Sequence, residues 1–268
     1  MGKSLISKKN RVLLAELIKT DFKLRYQGSA LGYLWAVIKP LLMFAILYVV
    51  FAKVLRFGGD IPHYPVYLLV GTVLWNFFNE CAQQGIHSIE QRGDLIRKLS
   101  FPKYIVVVST TSTAVINVLI NLCVVIIFAL LNGVTPTWSW LLTLPLLIEL
   151  YLLALGISLL LGSINIKFRD IGSIWEVLMQ AMFYAVPIIY PLSMVMNSSV
   201  LAAKIIMLNP VAQVIQDMRW SLITHEAVTL FSLSGAVWEF VSFGIVIVVL
   251  IIGIVYFRRK AKYFAEEV

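Results

Sequence analysis

The sequence predicts an all-α membrane protein: six transmembrane helices, an amphipathic helix ahead of the first, and short outer re-entrant helices between helices five and six. Three observations carry this. Residues of the AVILMFWYC set make up 60% of the 268-residue chain and charged residues only 13%, against about half and a quarter in soluble domains. The mean hydropathy is +0.89. The basic residues, in excess by a net charge of +8, flank apolar runs and are not gathered into a nucleic-acid patch.

A bilayer core of about 30 Å takes roughly 20 mostly apolar helical residues. Runs of that kind lie at about 34–55, 65–86, 104–131, 140–164, 173–190 and 238–257. Lys39-Pro40 falls in the first, and proline lacks the amide proton, so a kink or break is expected there. Between 191 and 236 the chain is apolar but interrupted by Pro191, by Asn209-Pro210 and by a polar patch at Gln213, Gln216, Asp217 and Arg219. Its pieces are too short to span. Helices that dip in and return suit it, since irregular backbone at membrane depth must be sheltered by protein.

Lysine and arginine placement orients the spans. Lys3, Lys8, Lys9, Arg11, Lys19, Lys23 and Arg25 precede the first, and Arg92, Arg97, Lys98 and Lys103 follow the second. Lys167 and Arg169 follow the fourth, and Arg258, Arg259, Lys260 and Lys262 close the chain. With six helices all of these share one face, the cytoplasmic one, together with both termini. Five helices would scatter them. No signal peptide is expected, because the first apolar run is as long as a true span and lacks an A-x-A site.

Two segments outside the spans are amphipathic. Leu14, Ile18 and Phe22 recur every fourth residue, with Arg11, Lys19 and Lys23 on another face. That pattern suits a helix on the membrane surface or packed on the membrane domain. Residues 87–103, HSIEQRGDLIRKLSFPK, place Ile89, Leu95, Ile96 and Leu99 among Glu90, Arg92, Asp94, Arg97 and Lys98. A short helix ended at Phe101-Pro102 fits. It is either a solvated loop or a docking element with apolar anchors inside a charged rim.

Catalytic constellations are absent. His63, His87 and His225 are dispersed, and Cys81 and Cys123 lie in apolar runs with no ligand spacing. There is no H-E-x-x-H and no G-x-S-x-G. The chain has no G-x-x-x-x-G-K-[ST] phosphate loop, so any ATP it depends on must be held by another polypeptide. Polar residues inside spans are costly and mark candidate sites: Lys39, Glu80, Glu149 and Glu176. Lys39 either snorkels to the headgroups or faces an internal path. Among the aromatics, Tyr33, Trp35, Trp75, Phe183 and Tyr184 are either interfacial belt residues or the lining of a path for sugars.

Several motifs, in order, carry a family resemblance. Asp21-Phe22-Lys23-Leu24-Arg25-Tyr26, then Ser29-Ala30-Leu31-Gly32-Tyr33-Leu34-Trp35 and Lys39-Pro40, resemble the N-terminal signature of ABC-2 type permeases that export cell-surface polymers. Phe101-Pro102-Lys103, Phe168-Arg169-Asp170-Ile171, Pro187-Ile188-Ile189-Tyr190-Pro191 and Asn209-Pro210 agree with it. The resemblance implies a homodimer in a bacterial plasma membrane. Two copies of a separate ATPase chain would bind ATP and Mg, this chain holding no cofactor. The cargo would be a lipid-linked polymer such as O-antigen, capsular polysaccharide or wall teichoic acid. Residues 1–33 would be a cytoplasmic segment with the interface helix, 34–257 the transmembrane domain, and 258–268 a cytoplasmic tail.

Within the domain, a coupling helix at about 87–101 would seat in the ATPase, and re-entrant helices at about 192–220 would cap the outer side. Residues expected to couple to the ATPase are Glu90, Arg92, Asp94, Leu95, Arg97 and Phe101, with Arg169 and Asp170 from the second loop. Candidates for the substrate path are Lys23, Arg25, Tyr33, Trp35 and Lys39, with Trp75, Phe183 and Tyr184. An exporter of drugs or small lipids shares the six-helix plan. A membrane enzyme acting on polyprenyl lipids would need paired acids or an acid–histidine set, of which only His225-Glu226 offers a trace.

Overall fold

A computed structural model describes residues 8–56 and 61–267; Lys3, counted above among the orienting charges, lies outside them. Every regular element among the described residues is a helix. The N-terminal amphipathic segment forms α1, Lys8–Tyr26, with Leu17 and Tyr26 buried and Lys19 and Lys23 exposed. It lies along α5. Gly28, at φ +82, turns the chain away from it, a left-handed conformation that glycine adopts without a side-chain penalty.

α2, Trp35–Leu47, follows a short 3-10 turn and runs on as a π-helical segment, Tyr48–Val54. Pro40 sits inside α2 without ending it. Only Ala36, Phe44 and Leu47 of this helix are buried, while Leu42, Met43 and Ile46 face outward. The long α3, Tyr64–Gln91, is the hub, touching α2, α5, α6, α7 and α10. It runs further than the apolar run at 65–86, so His87–Gln91 belong to it. Of the segment 87–101, expected as one short helix, only Gly93–Lys98 forms a separate helix, α4. The hydrogen-bond ladder of α3 simply continues through His87 and Ser88, and the break comes at Arg92, before Gly93.

α5, Tyr104–Leu131, and α6, Thr143–Asn165, complete the central layer with α12, Ala236–Lys260. Small residues set how closely these helices approach. A Cβ on Gly162 of α6 would stand 2.8 Å from the Gly85 carbonyl oxygen of α3, and one on Gly156 would stand 2.8 Å from Leu250 Cα of α12. Close backbone approach through small residues is how helices pack where lipid removes the hydrophobic drive between them. α7, Ile171–Ala185, stops short of the run read at 173–190; residues 186–191 are non-helical, led into by an extended Val186.

Between α7 and α12 the chain makes the short helices α8, Leu192–Ser198, α9, Val200–Met207, α10, Pro210–Leu222, and α11, Leu230–Ser234. Asn209 caps α10 by accepting from the Val211 amide at 3.0 Å, as expected of an Asn-Pro helix start. None is long enough to cross a bilayer, as the broken pattern at 191–236 implies. Four helices among the described residues are long and apolar enough to do so: Gly32–Val54, Tyr104–Leu131, Trp138–Asn165 and Val237–Lys260. The other two expected spans fall on α3, which carries a polar stripe, and on α7, whose 15 residues extend roughly 22 Å.

A second, smaller core lies where α3 meets α4. Ile89, Ile96, Val106, Ile166 and Phe257 join Phe264 of the terminal α13, Phe264–Glu267. The rings of Phe257 and Phe264 meet edge to face at 5.2 Å. Of the tail expected at 258–268, Arg258, Arg259 and Lys260 lie in the last turn of α12, and Phe264 is docked beside α4; Val268 lies outside the described residues.

Candidate functional site

A cleft of about 890 Å³ opens between the end of α1, α2, α3 and α5. Its polar wall comes from α3. Asn76, Asn79, Glu80, Gln83 and Gln84 all line it, and their spacing of three, four, seven and eight residues puts them on one helical face. Asn117 and Asn121 of α5 face that stripe; Arg25 and Tyr26 close one end; Trp35 and Lys39 stand on the α2 side. Met43, Ile46, Val73 and Phe77 supply the apolar remainder.

The polar groups form a connected network. Arg25 is ion-paired with Glu80. The same Glu80 oxygen accepts from Asn117 Nδ2 at 2.7 Å and from Gln84 Nε2 at 3.1 Å. Tyr26 donates its hydroxyl proton to Asn117 Oδ1 at 3.0 Å, and Thr113 donates to Gln84 Oε1 at 2.9 Å. Asn121 donates to the Ala36 carbonyl at 3.0 Å. Asn79 Oδ1 is buried with no hydrogen-bond partner among the described residues. Lys39 has no ion-pair partner among them either. Two cations and one carboxylate therefore line the cleft.

The path candidates divide accordingly. Arg25, Trp35 and Lys39 line the cleft. Tyr33 stacks on Phe22 at 5.4 Å beside its mouth. Lys23 is exposed on α1 and stays outside. Trp75 and Phe183 meet edge to face at 5.9 Å in the main core, and Tyr184 is exposed on α7. Trp75 is buried in that packing. Sequence reasoning passed over Asn76, Asn79, Gln83, Gln84, Asn117 and Asn121. The signal was available in the amide stripe running at helical spacing through an otherwise apolar span.

At the far end of α3 a pocket of about 170 Å³ gathers Glu90, Asp94 and Arg97 with Asn165 and Arg169. Both basic loops thus meet in one place. Arg97 pairs with Asp94 at 2.9 Å. Asn165 donates to Glu90 at 3.5 Å and accepts from the Gly172 amide at 3.2 Å, tying α3 to the start of α7. Arg92 turns away to an ion pair with Asp21 of α1, and its burial lowers its pKa from the ordinary value. Leu95 is half-buried, and Asp170 is exposed at the start of α7 without capping it. Lys103 stands 5.2 Å over the Phe101 ring and donates to the Ile96 carbonyl at 2.7 Å; burial lowers its pKa too. Among the described residues no group of His, Cys, Asp or Glu is arranged to hold a metal ion.

Comparison with known proteins identifies a family. The ABC-2 type transporter family matches residues 13–223. An O-antigen export system permease protein RfbA of Klebsiella pneumoniae is 30% identical over 259 residues, covering 95% of this chain and 94% of the relative. The RfbA permease of Myxococcus xanthus is 30% identical over 217 residues, covering 81% of this chain and 82% of its own length. The match runs from Leu13 within α1 to the end of α10, through both the cleft and the loop pocket, and the chain belongs to the ABC-2 type transporter family.

Proposed function

We propose that this chain is the permease subunit of an ATP-driven exporter that carries a lipid-linked cell-envelope polysaccharide from the cytoplasm to the outer face. The observation that carries the reading is the cleft. It is an amide-rich, net-positive path inside an apolar helical shell, a costly arrangement that membrane proteins keep for transported polar cargo. The names of the O-antigen export permeases it resembles point the same way.

In this reading six spans cross a bacterial plasma membrane, with α3 and α7 joining the four apolar ones and both termini cytoplasmic. The outward apolar surfaces of α2 and α7, Leu42 on one and Ile174 and Val177 on the other, meet lipid and a second copy of the chain. The lipid tail stays in the bilayer while its phosphate and sugars enter between protomers. Two copies of an ABC ATPase, holding ATP and Mg, seat against α4 and the Arg169-Asp170 loop. The short helices from α8 to α10 cap the outer side.

ATPase closure would push α4. Two rigid connections lead from there to the cleft: α3 itself, continuous from Glu90 back to Asn76, and the Arg92–Asp21 ion pair, which moves α1 and with it Arg25. Small shifts at one end of such elements become rocking at the other. Co-expression with ABC ATPase chains of the same organism, followed by affinity purification, tests the reading. An ATPase that copurifies and is stimulated by lipid-linked polymer supports it. A chain that purifies without such a partner, or stimulation by hydrophobic drugs alone, contradicts it.

A further inference from the structure

Arg25 is held in the cleft in an unusual way. Its partner Glu80 does not depend on it: Asn117 and Gln84 both donate to the same carboxylate oxygen, at 2.7 and 3.1 Å. Removing the guanidinium leaves Glu80 hydrogen-bonded in place. Arg25, by contrast, has Glu80 as its sole ion-pair partner among the described residues. It is one-third exposed on the cleft side, and Lys39 lines the same space with no carboxylate of its own. The cleft thus holds one cation that can be released and one already free, both beside amide donors.

We propose that Arg25 is an exchangeable anion contact: Glu80 holds it while the cleft is empty, and a phosphate ester entering the cleft takes it over. Guanidinium binds phosphate with paired, charge-assisted hydrogen bonds, a stronger match than a single carboxylate oxygen already shared with two amides. Lys39 supplies the second positive charge. Because Arg25 and Asp21 lie one turn apart on α1, and Asp21 holds Arg92 next to α4, the exchange would also be felt at the loop end. The identity of the phosphate as the carrier of the exported polymer rests on the exporter reading; the exchange itself does not.

The test uses the full-length chain in phosphatidylcholine nanodiscs, without ATPase or polymer, so failure of the exporter reading leaves its outcome untouched. The probe is farnesyl diphosphate, with farnesol as the uncharged control, and binding is measured for wild type, Glu80→Gln, Arg25→Gln and Arg25→Lys. Glu80→Gln keeps an oxygen for Asn117 and Gln84 but loses the charge that competes for Arg25. It should bind the diphosphate about fivefold tighter, the scale of a part-exposed ion pair. Arg25→Gln should bind more weakly whether or not Glu80 is also changed, and Arg25→Lys should fall between.

The double variant discriminates: relief of Glu80's own repulsion would tighten binding with or without Arg25, whereas exchange requires Glu80→Gln to tighten binding only where Arg25 is present. Equal or weaker binding by Glu80→Gln overturns the exchange, and so does farnesol binding as well as farnesyl diphosphate. Adding phosphatidylglycerol to the nanodiscs separates the sources. Competition assigns the site to bulk lipid headgroups, and its absence to isoprenyl diphosphates; either result retains the phosphate.

Discussion

Asn121 of α5 donates its amide to the backbone carbonyl of Ala36 in α2 at 3.0 Å. Ala36 is the residue whose carbonyl the amide of position 40 would satisfy in an unbroken helix, and position 40 is Pro40. The missing proton is replaced from the neighbouring helix. This explains why α2 continues through a proline that the sequence reads as a kink or break. It also fixes α2 against the polar wall of the cleft.

The relationship predicts a specific coupling. Asn121→Ala should cost about 1 kcal/mol in the wild-type background, where a carbonyl is left unpaired. The same change should cost clearly less in Pro40→Ala, whose backbone amide supplies the bond. Thermal unfolding of the four proteins in detergent reads the cycle. Equal costs in both backgrounds would show that Asn121 acts elsewhere.

Arg219 makes a second prediction. It is fully buried, 3.5 Å over the ring of Tyr67, and its guanidinium donates to the carbonyls of Tyr67 at 3.1 Å and of Pro187 and Ile188 at 2.6 Å. It therefore pins α10 and the non-helical stretch after α7 to α3. Gly71 gives it room, since a Cβ there would meet the guanidinium and stand 3.3 Å from the Ile188 oxygen. Gly71→Ala should destabilise by about 1–3 kcal/mol, read as a lower Tm in detergent. An unchanged Tm would mean that the short helices are not fastened through Arg219.

The amide stripe makes a third. Asn76→Leu with Gln83→Leu removes polar lining without touching the Glu80 network. Export should fall roughly tenfold, equivalent to about 1.4 kcal/mol, with expression and Tm held or raised. Quantified surface polymer in cells carrying the variant as sole copy is the measurement. Wild-type export would remove the cleft from the path.

Charge reversal tests the connection from α4 to α1. Asp21→Arg and Arg92→Asp should each lower stimulation of ATP hydrolysis by the copurified partner. The double reversal should recover most of it, with a coupling energy of about 1 kcal/mol for a partly buried pair. No recovery would indicate that the two residues contribute separately.

Much of this architecture was legible because its signals are local. The run read at 104–131 is α5 to the residue, and the four-residue recurrence of Leu14, Ile18 and Phe22 is α1. The Pro and Asn breaks after 190 correctly exclude a further span there. What escaped were properties set by partners. Hydropathy ends a span at the first polar residues, so His87–Gln91 read as the start of a separate helix at 87–101, where they are the last turn of α3. The cleft needed α1, α2, α3 and α5 brought together, and only its α3 side has a periodic signature. Phe264 reads as a tail residue until its contact with Phe257 is seen.

The central claim is that this chain moves a phosphate-linked polysaccharide through the membrane when a partner hydrolyses ATP. The direct measurement is reconstitution of the chain with its ATPase in sealed vesicles loaded with lipid-linked polymer, scored by polymer accessible to an external glycosidase. ATP should expose polymer in wild-type vesicles and fail to do so with Asn76→Leu/Gln83→Leu. Exposure that is independent of ATP, or ATP turnover with no polymer reaching the outer face, would contradict the account.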